Sequence, residues 1–198
     1  QEIIGILGDF DVDGLSGTAL LCKALGQLDV KTIPYIPNRV SEGHGLNKGS
    51  IDNFKSQNVS LIITVDCGTS SLTEVEYASS LGIETIITDH HAITGELPKA
   101  IAIVNPLQPK SEYKFKKLTG AGLAYKLSQA LFSFLGFKYP NNLIQMAAIG
   151  TIGDVAPLIE ENRYIVKTGI EEIKKTPNPG MQAIIELIRY PTEINSEL

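Results

Sequence analysis

An α/β fold, with a mostly parallel five-stranded sheet flanked by helices and an all-helical second half, is predicted by three observations. Short β-branched runs alternate with amphipathic stretches through the first half of the chain, the pattern of βαβ units. From Leu118 onward only helical periodicity recurs. Apolar residues make up 43% of the 198 positions, ample for a core of this size.

The strands are expected at Ile3–Leu7, Thr32–Ile36, Leu61–Asp66, Thr85–Thr88 and Ile101–Val104, each a short β-branched or aliphatic run. Between them, apolar residues at helical spacing predict helices at about 15–28, 47–57 and 71–81. Right-handed crossovers then place helices on both faces of the sheet. Segment 106–117, PLQPKSEYKFKK, is polar and basic, which suits an exposed loop. The later helices are expected at 120–135, 141–156, 160–175 and 179–189, punctuated by Pro140, Pro177 and Pro179. No internal repeat or low-complexity tract interrupts this order.

Charge and composition narrow the function classes. The formal net charge is −5, so the chain as a whole does not attract nucleic acid or an anionic membrane. Any polyanionic substrate must be held by local or metal-borne charge. Cys22 and Cys67 form no disulfide framework and lack zinc-ligand spacing, which points to a reducing cytoplasm. No apolar run approaches the roughly 20 residues of a membrane span, and no signal-peptide pattern opens the chain. Gln1 and Glu2 lead straight into a core strand without an initiator Met, so the chain is expected to be a piece of a longer protein.

The chemistry is expected where the strands end, because ligands in open parallel sheets bind outside the carboxyl ends of the strands. Asp9, Asp11 and Asp13 follow the first strand in LGDFDVDGLSG, and Asp66 closes the third in TVDCGTSS. Asp89, His90 and His91 close the fourth in ITDHH, and Asp154 lies in AAIGTIGDVAPL. Carboxylates gathered in one crevice raise one another's pKa unless something positive joins them. Lys and Arg are absent from all four clusters, so the expected counter-charge is divalent metal. Carboxylate and imidazole donors suit manganese or magnesium, and two ions bridged by one Asp would serve phosphate chemistry.

Simpler explanations cover the clusters one at a time. DFDVDG matches the start of an EF-hand loop, but position twelve, which needs a bidentate Glu, falls on Leu20. Helix capping accounts for one of the first three aspartates, not all of them. Asp66 and Asp154 have the same capping alternative at their own turns. A strand would send His90 and His91 to opposite faces, leaving one of them as a ligand unless the chain has already turned.

DFDVDG, TVDCGTSS, TDHH and IGTIGDVAPL, in this order and spacing, resemble the four motifs of the DHH phosphoesterase superfamily. Segments 36–47, 97–109 and 113–127 are similar to those of its RecJ-type branch of single-strand-specific exonucleases. The resemblance implies 5′-to-3′ hydrolysis of single-stranded DNA supported by manganese or magnesium, with two ions bound. It further implies that Asp11, Asp13, Asp66, His90 and Asp154 hold metal, Asp66 as the bridge, while Asp9 and His91 orient ligands or move a proton. Residues 1–158 correspond to the DHH domain, and 159–198 to the start of a linker helix leading toward a further C-terminal domain. Leu7 stands where many superfamily members have a ligating His.

Arg39 is a candidate for substrate phosphate, as are the amides of Gly120 and Gly122 in TGAG at a helix start. Close packing explains those glycines equally well. Lys110, Lys114, Lys116 and Lys117 are the other positive groups near a phosphate path. Implied partners are single-stranded DNA and repair proteins such as a single-strand-binding protein or a helicase. Two competing functions remain open. One is a DHH phosphoesterase for short oligonucleotides, cyclic dinucleotides or pyrophosphate, and the other is a non-catalytic scaffold, against which the intact motif carboxylates speak.

Overall fold

The computed structural model describes residues 2–187; the end of the helix expected at 179–189, and the stretch to 198, lie outside the described residues. The elements run β1 (Ile3–Gly8), α1 (Val12–Gly26), β2 (Lys31–Tyr35), α2 (Lys48–Ser56), β3 (Leu61–Val65), α3 (Leu72–Ser80), β4 (Glu84–Thr88) and β5 (Ala102–Val104). Helices α4 (Gly120–Phe134), α5 (Ile144–Gly153), α6 (Glu160–Lys175) and α7 (Pro179–Leu187) follow, with one 3-10 turn at Asn141–Leu143 before α5. The five strands form one sheet in the order β2-β1-β3-β4-β5, parallel throughout.

Alternation along the strands divides the core between two faces. Ile6, Ile63 and Val65 face α1, α4, α5 and α6, packing with Leu20, Leu21, Leu123, Ala147 and Ile165. Leu7, Ile62 and Ile87 face α2 and α3, packing with Ile51, Phe54, Val75 and Ala78. Pro34 is tolerated in β2 because that strand is at the sheet edge. α6 crosses α5 so closely at Gly169 that a β-carbon there would collide with the Ala148 β-carbon. Among the described residues, no helix is long and apolar enough to cross a membrane.

Two boundaries differ from expectation in ways that matter for the site. α1 begins at Val12 rather than near residue 15, because Asp11 itself is the N-cap and accepts from the Gly14 amide at 2.9 Å. Asp13 therefore occupies the first helical turn. α5 ends at Gly153 with Asp154 as its C-cap, and Val155 follows with a left-handed backbone, φ 55°. A β-branched residue rarely adopts that conformation, so the turn presenting Asp154 is strained.

Candidate metal centre at the strand ends

The sheet order turns back between β1 and its two neighbours, and the carboxyl ends of β1, β3 and β4 lie side by side. Their following loops bring Asp9 to Asp13, Asp66, and Asp89 to His91 into one crevice. Asp13 is buried and accepts from the Gly120 amide at 2.6 Å and the Ala121 amide at 2.9 Å. The free amides at the start of α4 are thus directed at a carboxylate of this chain, the kind of anion a helix N-terminus favours. Thr119 caps the same helix by accepting from the Gly122 amide. Asp66 has a left-handed backbone, φ 64°, which turns its side chain out of the line of β3.

Three sets of ligand atoms each lie within 4.8 Å of one another: Asp9, Asp11 and Asp66; Asp13, His90 and Asp154; and Asp66, His90 and His91. Asp66 belongs to two sets, and its two oxygens suit it to bridging. Its Oδ1 is 3.0 Å from His90 Nε2, yet both atoms are buried and lack a hydrogen-bond partner. Buried polar atoms left unpaired are costly, and here both are potential ligands surrounded by carboxylates. A cation suits this arrangement better than any side chain present.

Burial pushes the Asp66 carboxyl up to about 7, and the charges of Asp13 and Asp11 add to this against the opposing bond to His90. Burial likewise raises Asp13, with the Ala121 amide and His90 pulling the other way. For His90, burial lowers the pKa, but Asp66 and Asp13 outweigh it and raise the imidazole above its ordinary value. His91 is lifted to about 9, first by its hydrogen bond to Asp89. Burial would raise Asp89, but His91 at 2.8 Å and the Thr69 amide at 2.9 Å hold it well below the usual carboxylate range.

These shifts have signed consequences for stability. Asp66 ionises at 3.8 when unfolded and about 7 when folded, so the folded chain holds an extra proton between those values, and stability falls as pH rises through that window. His91, 6.5 against about 9, adds stability fully present below 6.5 and lost as pH rises through about 9. Asp89 opposes this only in acid, near and below its ordinary 3.8. Thermal melts in chelator should therefore show the midpoint falling from pH 5 toward pH 9. Saturating manganese should flatten or reverse that trend above about 7, where the ion replaces the proton on Asp66. A metal-free midpoint that rises steadily over this range would contradict the assignment.

Most residues predicted from the sequence converge. Asp9, Asp11, Asp13, Asp66, His90, His91 and Asp154 all contribute to the three sets. Asp9 and His91, expected in supporting roles, stand among the potential ligands themselves. The anticipated divergence of His90 and His91 does not occur. β4 ends at Thr88, so both rings lie in the loop, with centroids 4.7 Å apart. The expectation for Gly120 and Gly122 as phosphate binders is corrected. Their amides are taken by Asp13 and Thr119, and a β-carbon on Gly120 would collide with the Asp66 β-carbon. Lys116 also leaves the phosphate path, because its Nζ donates to the carbonyls of Pro106 and Ser111.

Several supporting residues were not anticipated. Asn105, buried after β5, donates to Thr69 Oγ1 at 3.2 Å and to the His91 carbonyl at 3.0 Å, fixing the loop that carries both histidines. The rule that marked the other strand ends applies equally to Asn105. Thr119 was visible as a capping residue before a helical run. His44 Nδ1 lies 3.3 Å from Asp9 Oδ2, a pairing across 35 positions that no local pattern announces.

Comparison with known proteins agrees with this geometry. The family described as "DHH family, N-terminal domain" matches residues 3–151. The single-stranded-DNA-specific exonuclease RecJ of Bacillus subtilis is 43% identical over 187 residues, covering 94% of this chain and 23% of that protein. A crystal structure of exonuclease RecJ bound to manganese superimposes with a TM-score of 0.86 at 36% identity, over 96% of this chain and 48% of the other. RecJ from Thermus thermophilus in complex with Mn2+ gives 0.79 at 34% identity, over 96% and 27%. The chain thus spans less than half the length of each of these relatives. With the matched region holding β1 through most of α5, and with it the first three acidic motifs, this chain belongs to the DHH family and carries its N-terminal domain.

Proposed function

We propose that this chain is the metal-binding part of a phosphoesterase that hydrolyses single-stranded DNA from its 5′ end, with two manganese or magnesium ions. The observation that carries the proposal is the unpaired, buried Asp66 Oδ1 and His90 Nε2 amid the carboxylates of Asp9, Asp11, Asp13 and Asp154. These residues together with His91 would hold the metal. When bound, divalent ions supply an activated hydroxide and neutralise charge developing on the phosphate.

The protein's own groups do the positioning and the proton handling. The amides of Gly120 and Ala121 fix both oxygens of Asp13. Asp89 accepts from His91 Nδ1, which sets the tautomer and leaves Nε2 to hold or donate a proton. With its pKa near 9, the exposed His91 ring carries that proton at neutral pH and can deliver it to the departing oxygen. The similarity to proteins named as single-stranded-DNA-specific exonucleases supports the substrate class. A cytoplasmic location, a linker role for residues 159–198 and repair proteins as partners belong to the same proposal.

The net charge of −5 favours one competing reading, in which the substrate is a short oligonucleotide or a cyclic dinucleotide. Titration calorimetry with manganese, followed by hydrolysis assays with competitors of graded length, tests both. Micromolar or tighter manganese binding with preference for long single strands is expected. Absence of manganese binding would remove the hydrolase reading in favour of a scaffold, and inhibition by dinucleotides alone would move it to small substrates.

A further inference from the structure

Beside the carboxylate crevice stands a stack of three planar groups that the chemistry above does not use. The Arg39 guanidinium carbon lies 5.0 Å from the centre of the Phe10 ring, and the His44 ring lies 4.5 Å from the same centre at a tilt of 45°. His44 Nδ1 reaches Asp9 Oδ2 at 3.3 Å, yet the side chain remains 75% exposed. Asp9 in turn is grouped with Asp11 and Asp66. The stack therefore adjoins the candidate ion site directly.

The segment presenting His44 is held in place from within. Tyr35 donates to Glu42 Oε1 at 2.5 Å, and the Asn38 amide donates to Glu42 Oε2 at 2.8 Å. Asn38 Oδ1 accepts from the amides of Val40 and Ser41. Gly43 and Gly45, with φ of 77° and 67°, bracket His44 and allow the backbone turn that projects it. Gly45 packs against Cys67, the neighbour of Asp66, so the turn is tied to the metal-binding motif. An exposed cation–aromatic stack contributes little to folding, about 0.5–1 kcal/mol. A flat, partly cationic surface beside a phosphate-cleaving centre does match one ligand chemistry, the π-face of a nucleobase.

We infer that Arg39, Phe10 and His44 form a stacking shelf for the base of a nucleotide adjoining the cleaved phosphodiester. This rests on the proposed hydrolase reading and adds a base subsite to it. The shelf binds any base, because every base offers a π-face, and it explains how an acidic domain holds a nucleic acid without a basic surface.

The test uses an oligothymidylate and the same strand with one abasic residue placed at each terminal nucleotide in turn. Manganese-supported kcat/KM is measured for the wild type, His44→Ala and His44→Phe, each checked for folding by circular dichroism. In the wild type, removing the base at one position is expected to lower kcat/KM by roughly 5- to 150-fold, chiefly through KM. His44→Phe keeps the ring while losing the contact to Asp9, and should keep that sensitivity; His44→Ala should lose most of it. Equal hydrolysis of all strands by the wild type overturns the shelf, as does full base sensitivity in His44→Ala. Base sensitivity lost equally in His44→Phe and His44→Ala also overturns it, since His44 then acts only through Asp9. Hydrolysis of bis(p-nitrophenyl) phosphate separates the two levels. If that ester is cleaved and base sensitivity is absent, the shelf alone fails. If nothing is cleaved, the hydrolase reading fails and the shelf with it.

Discussion

Asp66→Asn is expected to lower manganese affinity more than about 100-fold and to reduce phosphodiester hydrolysis by about three orders of magnitude, while leaving the metal-free fold intact. Asp66 is the one residue common to the set with Asp9 and Asp11 and the set with His90 and His91, so its loss weakens both. Asn is the informative replacement because it tolerates the left-handed backbone found there, φ 64°, whereas Ala would add strain to the chemical change. In the metal-free wild type, burial pushes this carboxyl up to about 7, so a neutral amide removes an unfavourable buried charge at alkaline pH. The variant should accordingly melt at or above the wild-type midpoint in chelator at pH 8. Manganese at about 100 times its dissociation constant stabilises by about 2.7 kcal/mol, or about 5–10 °C for a chain of this size, and the variant should show none of that gain. Calorimetry finding manganese affinity within tenfold of wild type would remove Asp66 from the ligand set. A collapsed metal-free melt would assign it a purely structural role.

The fold was largely legible because its signals are local. Strands such as Leu61–Val65 are unbroken β-branched or aliphatic runs flanked by helical periodicity, and no long-range information is needed to place them. The potential ligands were legible for a topological reason, since a parallel sheet sends every strand end to the same edge. What sequence spacing obscured was the division of labour among the carboxylates. Three aspartates at alternate positions all looked like cap candidates, and only the structure shows that Asp11 caps α1 while Asp13 is held by amides 107 and 108 positions away. Likewise, TGAG read as a helix start with open amides, and nothing nearby in the chain reveals that Asp13 occupies them. His90 and His91 share a side because β4 stops one residue before the DHH triplet, a boundary finer than periodicity resolves.

Gly120→Ala should damage both stability and metal binding, whereas Gly122→Ala, two positions along the same helix, should be nearly silent. A β-carbon on Gly120 would collide with Asp66 Cβ and lie 2.8 Å from its Cα and 2.9 Å from its Cγ. Those atoms are backbone or anchored directly to it, so relief requires the start of α4 to move away from β3. That displacement breaks the 2.6 Å and 2.9 Å bonds that orient Asp13, and it shifts Asp66 as well. Overpacking of this kind costs about 1–3 kcal/mol, and the better helix propensity of Ala returns at most about 1. A midpoint lower by several degrees is expected, with manganese affinity reduced at least tenfold because two ligands are displaced together. On Gly122 the new methyl meets Leu118 Cδ2 at 3.2 Å and Thr119 Oγ1 at 3.5 Å, close contacts that a small side-chain adjustment relieves. Melting curves and manganese titrations of the two variants separate the explanations for the glycine pair. Had the amides served a substrate phosphate, Gly122→Ala would weaken substrate binding and spare the metal. Under the geometry found here, the penalty falls on Gly120, and the metal-binding aspartates are what it disturbs.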